Sequence, residues 1–195
     1  MQRHAEAVAM KHDVEILHTI GDFDQKEIYV FDDKVINGIR TLVIYYKNSQ
    51  NPIQNFIRRM KAYKMGFAKM QKPDLVHANV LHNNMLFAVY LKKKFKIPFV
   101  VTEHWTALRK INQDSTSGSV KKIAKFIGNQ SSMILPVSND LKISLAKLGI
   151  TTPMQVIPNV VDTQLFEPIN STHNDFTFVH ISNLIPRKNA DKILT

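Results

Sequence analysis

The sequence predicts an α/β fold in which a mostly parallel sheet is flanked by helices. Short apolar runs rich in β-branched residues alternate along the chain with amphipathic helical stretches. Strands that alternate with helices favour βαβ units, in which successive strands lie parallel. The runs at 99–102 and 133–137 are apolar without alternation, which is typical of strands covered on both faces. Together these observations predict a Rossmann-like, doubly wound sheet.

The elements of the first half are predicted from period and punctuation. A helical pattern opens the chain, two strand-like runs follow, and a longer helical pattern closes this half before Pro73. Pro73 ends that helix because proline disfavours the helical region for the residue before it. The predicted elements are a helix at 2–10, strands at 14–17 and 41–45, and a helix at 53–69.

The second half repeats the alternation more regularly. Pro98 separates a helix from a strand, Ser138 follows a strand as a helix N-cap, and Gly149 fits a helix C-terminus. The predicted strands lie at 75–78, 99–102, 133–137, 155–157 and 176–181. The predicted helices lie at 84–95, 120–127 and 139–148, and a last one begins at 188.

The domain organisation is predicted from composition. Residues 1–168 read as one domain, and 176–195 read as the first strand and helix start of a second one. Residues 169–175 form the linker, because the stretch around them is polar and turn-rich with no apolar period. A doubly wound domain normally opens with a strand and a glycine-rich turn, and neither precedes the helix at 2–10. We therefore expect the first domain to lack that strand and the second to be truncated.

Composition restricts the class of protein. The chain has 195 residues, of which 44% are hydrophobic and 22% charged, as in globular domains. Cysteine is absent, which excludes disulfides and cysteine-based metal sites and fits a reducing cytosol. The formal charge of +10 favours anionic partners, although a basic surface that keeps the protein soluble is the simpler interpretation. With no signal peptide and no apolar run of about 20 residues, we expect a cytoplasmic protein.

Five segments in order carry a resemblance to a known family. They read PDLVHA at 73–78, VTEH at 101–104, VSNDL at 137–141, VIPNVVD at 156–162 and FVHISNL at 178–184. In this order and spacing they resemble the GT-B glycosyltransferases of family 4, and RHAEAVA at 3–9 resembles that family's first helix. Two positions depart from the pattern, since Val160 stands where the family has glycine and Asn183 where it has arginine.

The resemblance implies a fold and an activity. The chain would be the N-terminal, acceptor-side lobe of a GT-B fold, followed by the start of the donor-binding domain. The full enzyme would be a retaining transferase that moves a hexose from a nucleotide diphosphate sugar to a glycan or lipid-linked acceptor, as in polysaccharide biosynthesis. The fragment alone is expected to be inactive. No metal or other cofactor is implied, because basic side chains and helix N-termini can stabilise the leaving diphosphate.

The resemblance also assigns candidate residues. It implies that His104, at the carboxyl end of a buried strand, contacts the donor sugar and is the catalytic residue most sensitive to change. It implies donor-diphosphate binding by Lys188, with Arg187 and Asn183 beside it.

Polar side chains near two strand ends are candidates for binding the acceptor, because open α/β sheets bind ligands at this edge. They are Asn79, His82, Asn83, Glu103 and Trp105. We expect the tip after Ala78 and His104 to share one edge of the sheet. The histidine spacing is not a zinc-ligand pattern, so no metal is assigned.

The helix at 53–72 carries cations interleaved with aromatic residues and methionines. The cations are Arg58, Arg59, Lys61, Lys64, Lys69 and Lys72. This mixture resembles an interfacial membrane helix, which would place the protein peripherally at the inner face of the membrane. The simpler interpretation is a core helix with one solvated face. Both interpretations stay open.

Two alternative functions stay open. Another GT-B enzyme, such as a sugar-nucleotide epimerase, would use a similar cleft. A basic nucleic-acid-binding module would explain the charge, but nothing resembles a recognition helix, an RNP motif or a GXXG loop, so no nucleic-acid partner is expected. A reading frame that continues into a second Rossmann-like domain would favour the enzyme.

Overall fold

The computed structural model describes residues 2–161, 163, 179–182 and 190–193. The chain divides into two compact units, Met1–Val161 and Asp162–Thr195. The predicted linker at 169–175 lies outside the described residues. In the second unit, residues 179–181 are not in a strand, so the end of the strand predicted at 176–181 is wrong. Ala190–Ile193 form a 3₁₀ helix within the last predicted helix.

The first unit opens with a helix and three consecutive strands, and strands alternate with helices after them. The first half contains α1 (Gln2–Ala9), β1 (Glu15–Asp22), β2 (Tyr29–Ile36), β3 (Ile39–Lys47) and α2 (Pro52–Phe67). The second half contains β4 (Val76–Asn79), α3 (Leu86–Phe95), β5 (Phe99–Glu103), α4 (Lys110–Gln113), α5 (Gly118–Gln130), β6 (Met133–Pro136) and α6 (Asn139–Lys147). Short 3₁₀ helices cover Asn83–Met85 and Thr106–Leu108.

The first sheet has the strand order β1-β3-β2. Strand β1 is parallel to β3, and β2 is antiparallel to it. Asn37 and Gly38 connect β2 to β3 with φ of 49° and 78°, the two left-handed residues of a tight hairpin turn. Strand β2 is not among the strands predicted from the sequence. Most of its last residues are exposed, so the strand lacks the apolar run by which the others were predicted.

The second sheet has the order β4-β5-β6, and all its strands are parallel, as predicted. Phe99 and Val101 of β5 and Ile134 of β6 are fully buried. Ser138 caps α6 through its hydroxyl, which accepts the Leu141 N–H at 3.2 Å, so that prediction is confirmed. Phe99, Val101 and Ile134 share a core cluster with side chains of α5 and α6. Because the three strands are parallel, their carboxyl ends lie at one edge of the sheet.

The strand predicted at 155–157 is not a ladder strand. Its Gln155 and Ile157 N–H groups donate to the carbonyls of Ile134 and Pro136, so the segment runs along β6. Pro153 and Pro158 flank it, and proline has no N–H to continue a ladder. The segment is therefore extended and paired only in part.

Helix α2 lies against both sheets. Its Tyr63 belongs to a buried cluster with Phe87 of α3, and this cluster contacts both Leu17 of β1 and Val76 of β4. The two aromatic rings stack with centroids 5.1 Å apart. Gly66 lets α2 approach the first sheet closely, because a Cβ there would overlap the ends of the Leu17 and Ile44 side chains. Within residues 2–161, α2 and α3 thus bridge the two sheets.

Candidate active site at the edge of the second sheet

The loops that follow β4 and β5 meet at one edge of the second sheet. The two strands are parallel neighbours, with Asn79 paired to Thr102 at their carboxyl ends. The pairing continues one residue further, because the Val80 N–H donates to the Thr102 carbonyl at 2.9 Å. Asn79 and His104 therefore share one edge, as expected. We call the loop residues 79–83 and 104–105 the rim.

Glu103 ends β5 and is fully buried beneath the rim. Its Oε2 accepts the Leu81 N–H at 2.6 Å, and its Oε1 accepts the Trp105 N–H at 2.5 Å. Burial raises the pKa of Glu103 to about 7, and the backbone N–H groups of Trp105, Leu81 and His104 oppose that rise. Both carboxyl oxygens already accept backbone N–H groups of the rim loops. Contact between Glu103 and a glycosyl acceptor therefore stays a prediction, and it requires one of these hydrogen bonds to open.

Val80 occupies a strained backbone position in the rim. Its φ is 59°, in the left-handed region that β-branched residues rarely adopt. Such strain costs about 1–3 kcal/mol and is typical of functional loops. The adjacent Leu81 N–H donates to Glu103, and a hydrogen bond to a charged group contributes about 1.5–3 kcal/mol. The two terms are of similar size, so the carboxylate can hold the strained turn.

The two loops of the rim also touch through side chains. The His82 ring meets the Trp105 ring edge-on, with centroids 5.7 Å apart. Trp105 is partly buried and packs against the core of the second sheet. The indole is thus both part of the core and a side wall of the rim.

His104 is exposed at the rim. Partial desolvation lowers its pKa below the usual 6.5, and the nearby His4 lowers it further. The imidazole is therefore mostly neutral at pH 7, with one nitrogen that donates a hydrogen bond and one that accepts. Such a group can bind a sugar hydroxyl, or donate its one N–H to a phosphate oxygen, without carrying a net positive charge.

Arg59 of α2 holds the far side of the rim. Its guanidinium donates to the Asn83 side-chain oxygen at 2.9 Å and to the Asn84 side-chain oxygen, and its Nε donates to the Tyr46 hydroxyl at 3.2 Å. From the sequence alone Arg59 is one of the cations of this helix, and its contacts with the rim were not predicted. The helical period could have indicated this role, because Arg59 lies one turn before the buried Tyr63 and so on the same face of α2.

Several predicted residues are not tested by this geometry. Asn183, Arg187 and Lys188 lie outside the described residues, so donor binding by them stays a prediction. The His77 ring hydrogen-bonds the Thr102 hydroxyl at 2.6 Å and so connects the two strands. In the part of the chain that the structure describes, no group of three or more His, Asp or Glu side chains is placed to hold a metal ion.

Comparisons with known proteins agree with this fold. A family model described as Glycosyltransferase Family 4 matches residues 3–165. The structure is similar to that of a sucrose-phosphate synthase from Thermosynechococcus elongatus, with a TM-score of 0.58 and 15% sequence identity, covering 84% of this chain and 86% of that one. This likeness confirms the predicted fold class, a Rossmann-like lobe with parallel strands flanked by helices. The search of curated proteins gives no match. None of the helices described is long and apolar enough to cross a membrane.

Proposed function

The chain belongs to glycosyltransferase family 4, and we propose that it is the acceptor-side lobe of a retaining hexosyltransferase with a nucleotide diphosphate sugar as donor. The observation that supports this most is the shared rim, where Asn79, His82, Trp105 and His104 lie at the carboxyl ends of two adjacent parallel strands. Open α/β sheets bind ligands at this edge. The acceptor is a glycan or a lipid-linked sugar, as in polysaccharide assembly.

His104 is proposed as the catalytic residue. Glycosyl transfer develops positive charge at the anomeric carbon and negative charge on the leaving diphosphate. A neutral imidazole can hydrogen-bond a donor hydroxyl or phosphate oxygen without adding positive charge beside the anomeric carbon. Because catalysis depends on groups already oriented for the transition state, the exposed position of His104 at the rim supports this role.

The remaining site residues divide between donor and acceptor. Lys188, with Arg187 and Asn183, is proposed to bind the donor diphosphate. Asn79, His82, Asn83 and Trp105 are proposed to bind acceptor hydroxyls. The Arg59 guanidinium already engages the Asn83 oxygen, so the Asn83 amide N–H₂ is the group left to donate to an acceptor.

Screening donors with the full-length protein tests this function. Nucleotide release is measured with a panel of nucleotide diphosphate sugars in the presence of glycan acceptors, and the anomeric configuration of the product is read by ¹H NMR. We expect one donor to give nucleotide release that depends on acceptor, with retention at the anomeric carbon. Activity should persist in excess EDTA, because we propose no metal. Inversion, or epimerised donor without transfer, would contradict the proposal.

Peripheral contact with an anionic membrane is the second proposed property. The exposed stripe of α2 carries two isoleucines followed by two lysines: Ile53 is 71% and Ile57 is 59% exposed, and Lys61 and Lys64 continue the stripe. The isoleucines and Lys61 line an open groove of about 640 Å³ beside Ile28. Apolar side chains beside cations fit the boundary between acyl chains and anionic headgroups. The protein would then act in the cytoplasm, at the inner face of the membrane.

Vesicle co-sedimentation tests this contact. The protein is mixed with neutral or anionic vesicles at low and high salt, and the double variant Ile53→Asn/Ile57→Asn is compared with Ile143→Asn. Ile143 is 55% exposed on α6, so it controls for the loss of an exposed isoleucine elsewhere. We expect salt-sensitive binding to anionic vesicles that the double variant loses and the control keeps. Equal, negligible binding to both vesicle types would remove the proposal.

A further inference from the structure

Glu103 connects the loops that carry the proposed site residues. Its carboxyl oxygens accept N–H groups from Leu81, after β4, and from Trp105, after β5. Its backbone carbonyl accepts the Val137 N–H, after β6, at 3.1 Å. One residue therefore holds the chain after each of the three strands in the second sheet. We propose that Glu103 is a positioning residue that sets the two rim loops relative to each other for glycosyl transfer.

The environment of the carboxyl group argues for this role over simple core packing. No part of Glu103 is exposed, and no lysine or arginine of the described residues forms an ion pair with it. A buried carboxylate without a cation is costly, and an apolar residue of similar size would fill the same space without that cost. What an apolar residue cannot do is accept two backbone N–H groups from separate loops. The strained φ of Val80, next to one of those donors, shows a turn that needs such an anchor.

Protonation of Glu103 weakens one of its two hydrogen bonds to the rim loops more than the other. As a carboxylate, both oxygens are strong acceptors, so both loops are held. As a carboxylic acid, the protonated oxygen is a donor and a weaker acceptor, so one N–H loses much of its bond. Burial raises the pKa of this group to about 7, which makes both forms accessible near neutral pH. The connection between the loops should therefore tighten as the carboxyl group ionises.

Other titratable groups surround the rim and must be separated from Glu103. They are His77 on β4, His82 on the loop after it, His104 beside the carboxyl group, His4 on α1, and the Arg109–Asp140 ion pair between the chain after Trp105 and α6. Strand β6 contributes no titratable side chain over Met133–Pro136. His82 and His104 are the two imidazoles in the rim itself, so their replacement by glutamine provides the relevant backgrounds.

The sequence allows both amide donors to be observed selectively. Trp105 is the only tryptophan, so ¹⁵N-tryptophan labelling gives a single backbone amide. Leu81 is the only leucine preceded by valine, so ¹³C-carbonyl valine with ¹⁵N-leucine selects its amide in an HNCO spectrum. The 195-residue chain is titrated from pH 5 to about 9, a window that spans the pKa of the carboxyl group, without sugar or acceptor. Both amide protons should move downfield with one common midpoint near pH 7.

The variant Glu103→Gln should abolish the common step, and Glu27→Gln should keep it. Glu27 is exposed in the turn before β2, so it controls for the charge change. The step should also persist in His82→Gln and His104→Gln. Separate midpoints for the two amides, or a shared step that either histidine variant removes, would overturn the proposal. If Glu103→Gln does not fold by circular dichroism, the wild-type and histidine-variant titrations decide the question alone.

The consequence for catalysis rests on the proposed function and is measured separately. In the full-length protein, Glu103→Gln should lower kcat/KM by about 100-fold, because misplacement by about 1 Å can cost that much. Unchanged kcat/KM would overturn the positioning role even if the amides titrate together. Absence of transfer in the wild type would contradict the proposed function and leave the amide titration as the test of the connection.

Discussion

Each sheet is stabilised by a charged residue of its own, and the two residues lie in opposite environments. In the first sheet, Arg40 of β3 donates to Glu15 of β1 at 2.8 Å and to Asp33 of β2 at 2.8 and 3.0 Å. These side chains are between 26% and 41% exposed. In the second sheet, Glu103 is fully buried and binds backbone N–H groups only. The first arrangement pairs side chains across strands, whereas the second determines where loops lie.

This difference predicts which side-chain substitutions each sheet can tolerate. Ion pairs at the surface contribute about 0–1 kcal/mol, because water solvates the partners when the pair is broken. A buried backbone N–H that loses its acceptor costs about 1–3 kcal/mol, because no water replaces it. The ion cluster of the first sheet should therefore be replaceable, and the carboxyl group of the second should not be. The proposed site lies at the edge of the second sheet.

The largest effect is expected for Glu103→Ala. This change leaves the buried Leu81 N–H and the partly buried Trp105 N–H without acceptors and opens a cavity. The free energy of unfolding at pH 7 should therefore fall by about 3–5 kcal/mol. Urea unfolding followed by circular dichroism measures it, with the exposed Glu27→Ala as the matched control. A loss no larger than that of the control would erase the contrast between the sheets.

A large effect of pH is expected for the same group. The pKa of Glu103 is about 7 in the folded chain against 4.5 for an unperturbed carboxyl, so the folded state binds more protons between these values. The stability that this group contributes is fully present below pH 4.5 and is lost as pH rises through 7. Relative to wild type, Glu103→Gln should therefore gain roughly 3 kcal/mol in unfolding free energy from pH 4.5 to 8.

Comparing wild type with Glu103→Gln removes the contributions of the histidines to the pH dependence of stability, which act in the opposite direction. Burial lowers the pKa of His18, so its share of stability falls as pH drops. Urea unfolding of both proteins at the two pH values gives the difference directly. A difference that does not change with pH would show that the carboxyl group is not buried as described.

A smaller effect is expected at Val80. Glycine relieves the left-handed strain that alanine keeps, but glycine also loses more conformational freedom on folding. Val80→Gly should therefore be more stable than Val80→Ala by roughly 0.5–1 kcal/mol. Val35, exposed in β2 of the first sheet without a positive φ, provides the control, where glycine should be less stable than alanine. If the glycine variant is less stable than the alanine variant at both positions, backbone strain at Val80 does not affect the stability of the protein.

The smallest effect is expected at Arg40. Arg40→Gln removes the ion pairs with Glu15 and Asp33, and the free energy of unfolding should fall by about 1 kcal/mol or less. The loss should shrink in 1 M salt, where screening acts within about 3 Å. Thermal unfolding at low and high salt measures both statements. A loss as large as that of Glu103→Ala would make the two sheets alike.

The sequence predicted the second sheet better than the first. Strands β4, β5 and β6 are short apolar runs between prolines and helices, so their existence and parallel pairing followed from local pattern. Strand β2 has polar residues in its middle and an exposed end, so only its Asn37-Gly38 turn signalled a hairpin. A strand of this kind is formed by pairing with β3 rather than by its own pattern.

The site was predictable only as far as local sequence pattern determines it. Strand ends can be counted from the sequence, so the shared rim of Asn79 and His104 was expected. Which side chains face inward at the rim depends on the loops, and those are set by bonds between distant residues. Glu103 meets Leu81 across 22 residues, and Arg59 meets Asn83 across 24. No local pattern specifies such contacts.

The central claim is that transfer takes place at the rim of the second sheet. The most direct measurement is kcat/KM for glycosyl transfer by the full-length protein carrying His104→Ala, with His12→Ala as the control. His12 is an exposed histidine just after α1. We predict a loss of about 10²–10³-fold for His104→Ala, as for other single polar groups that stabilise a transition state, and wild-type activity for the control. Wild-type kcat/KM in a folded His104→Ala protein would contradict the claim.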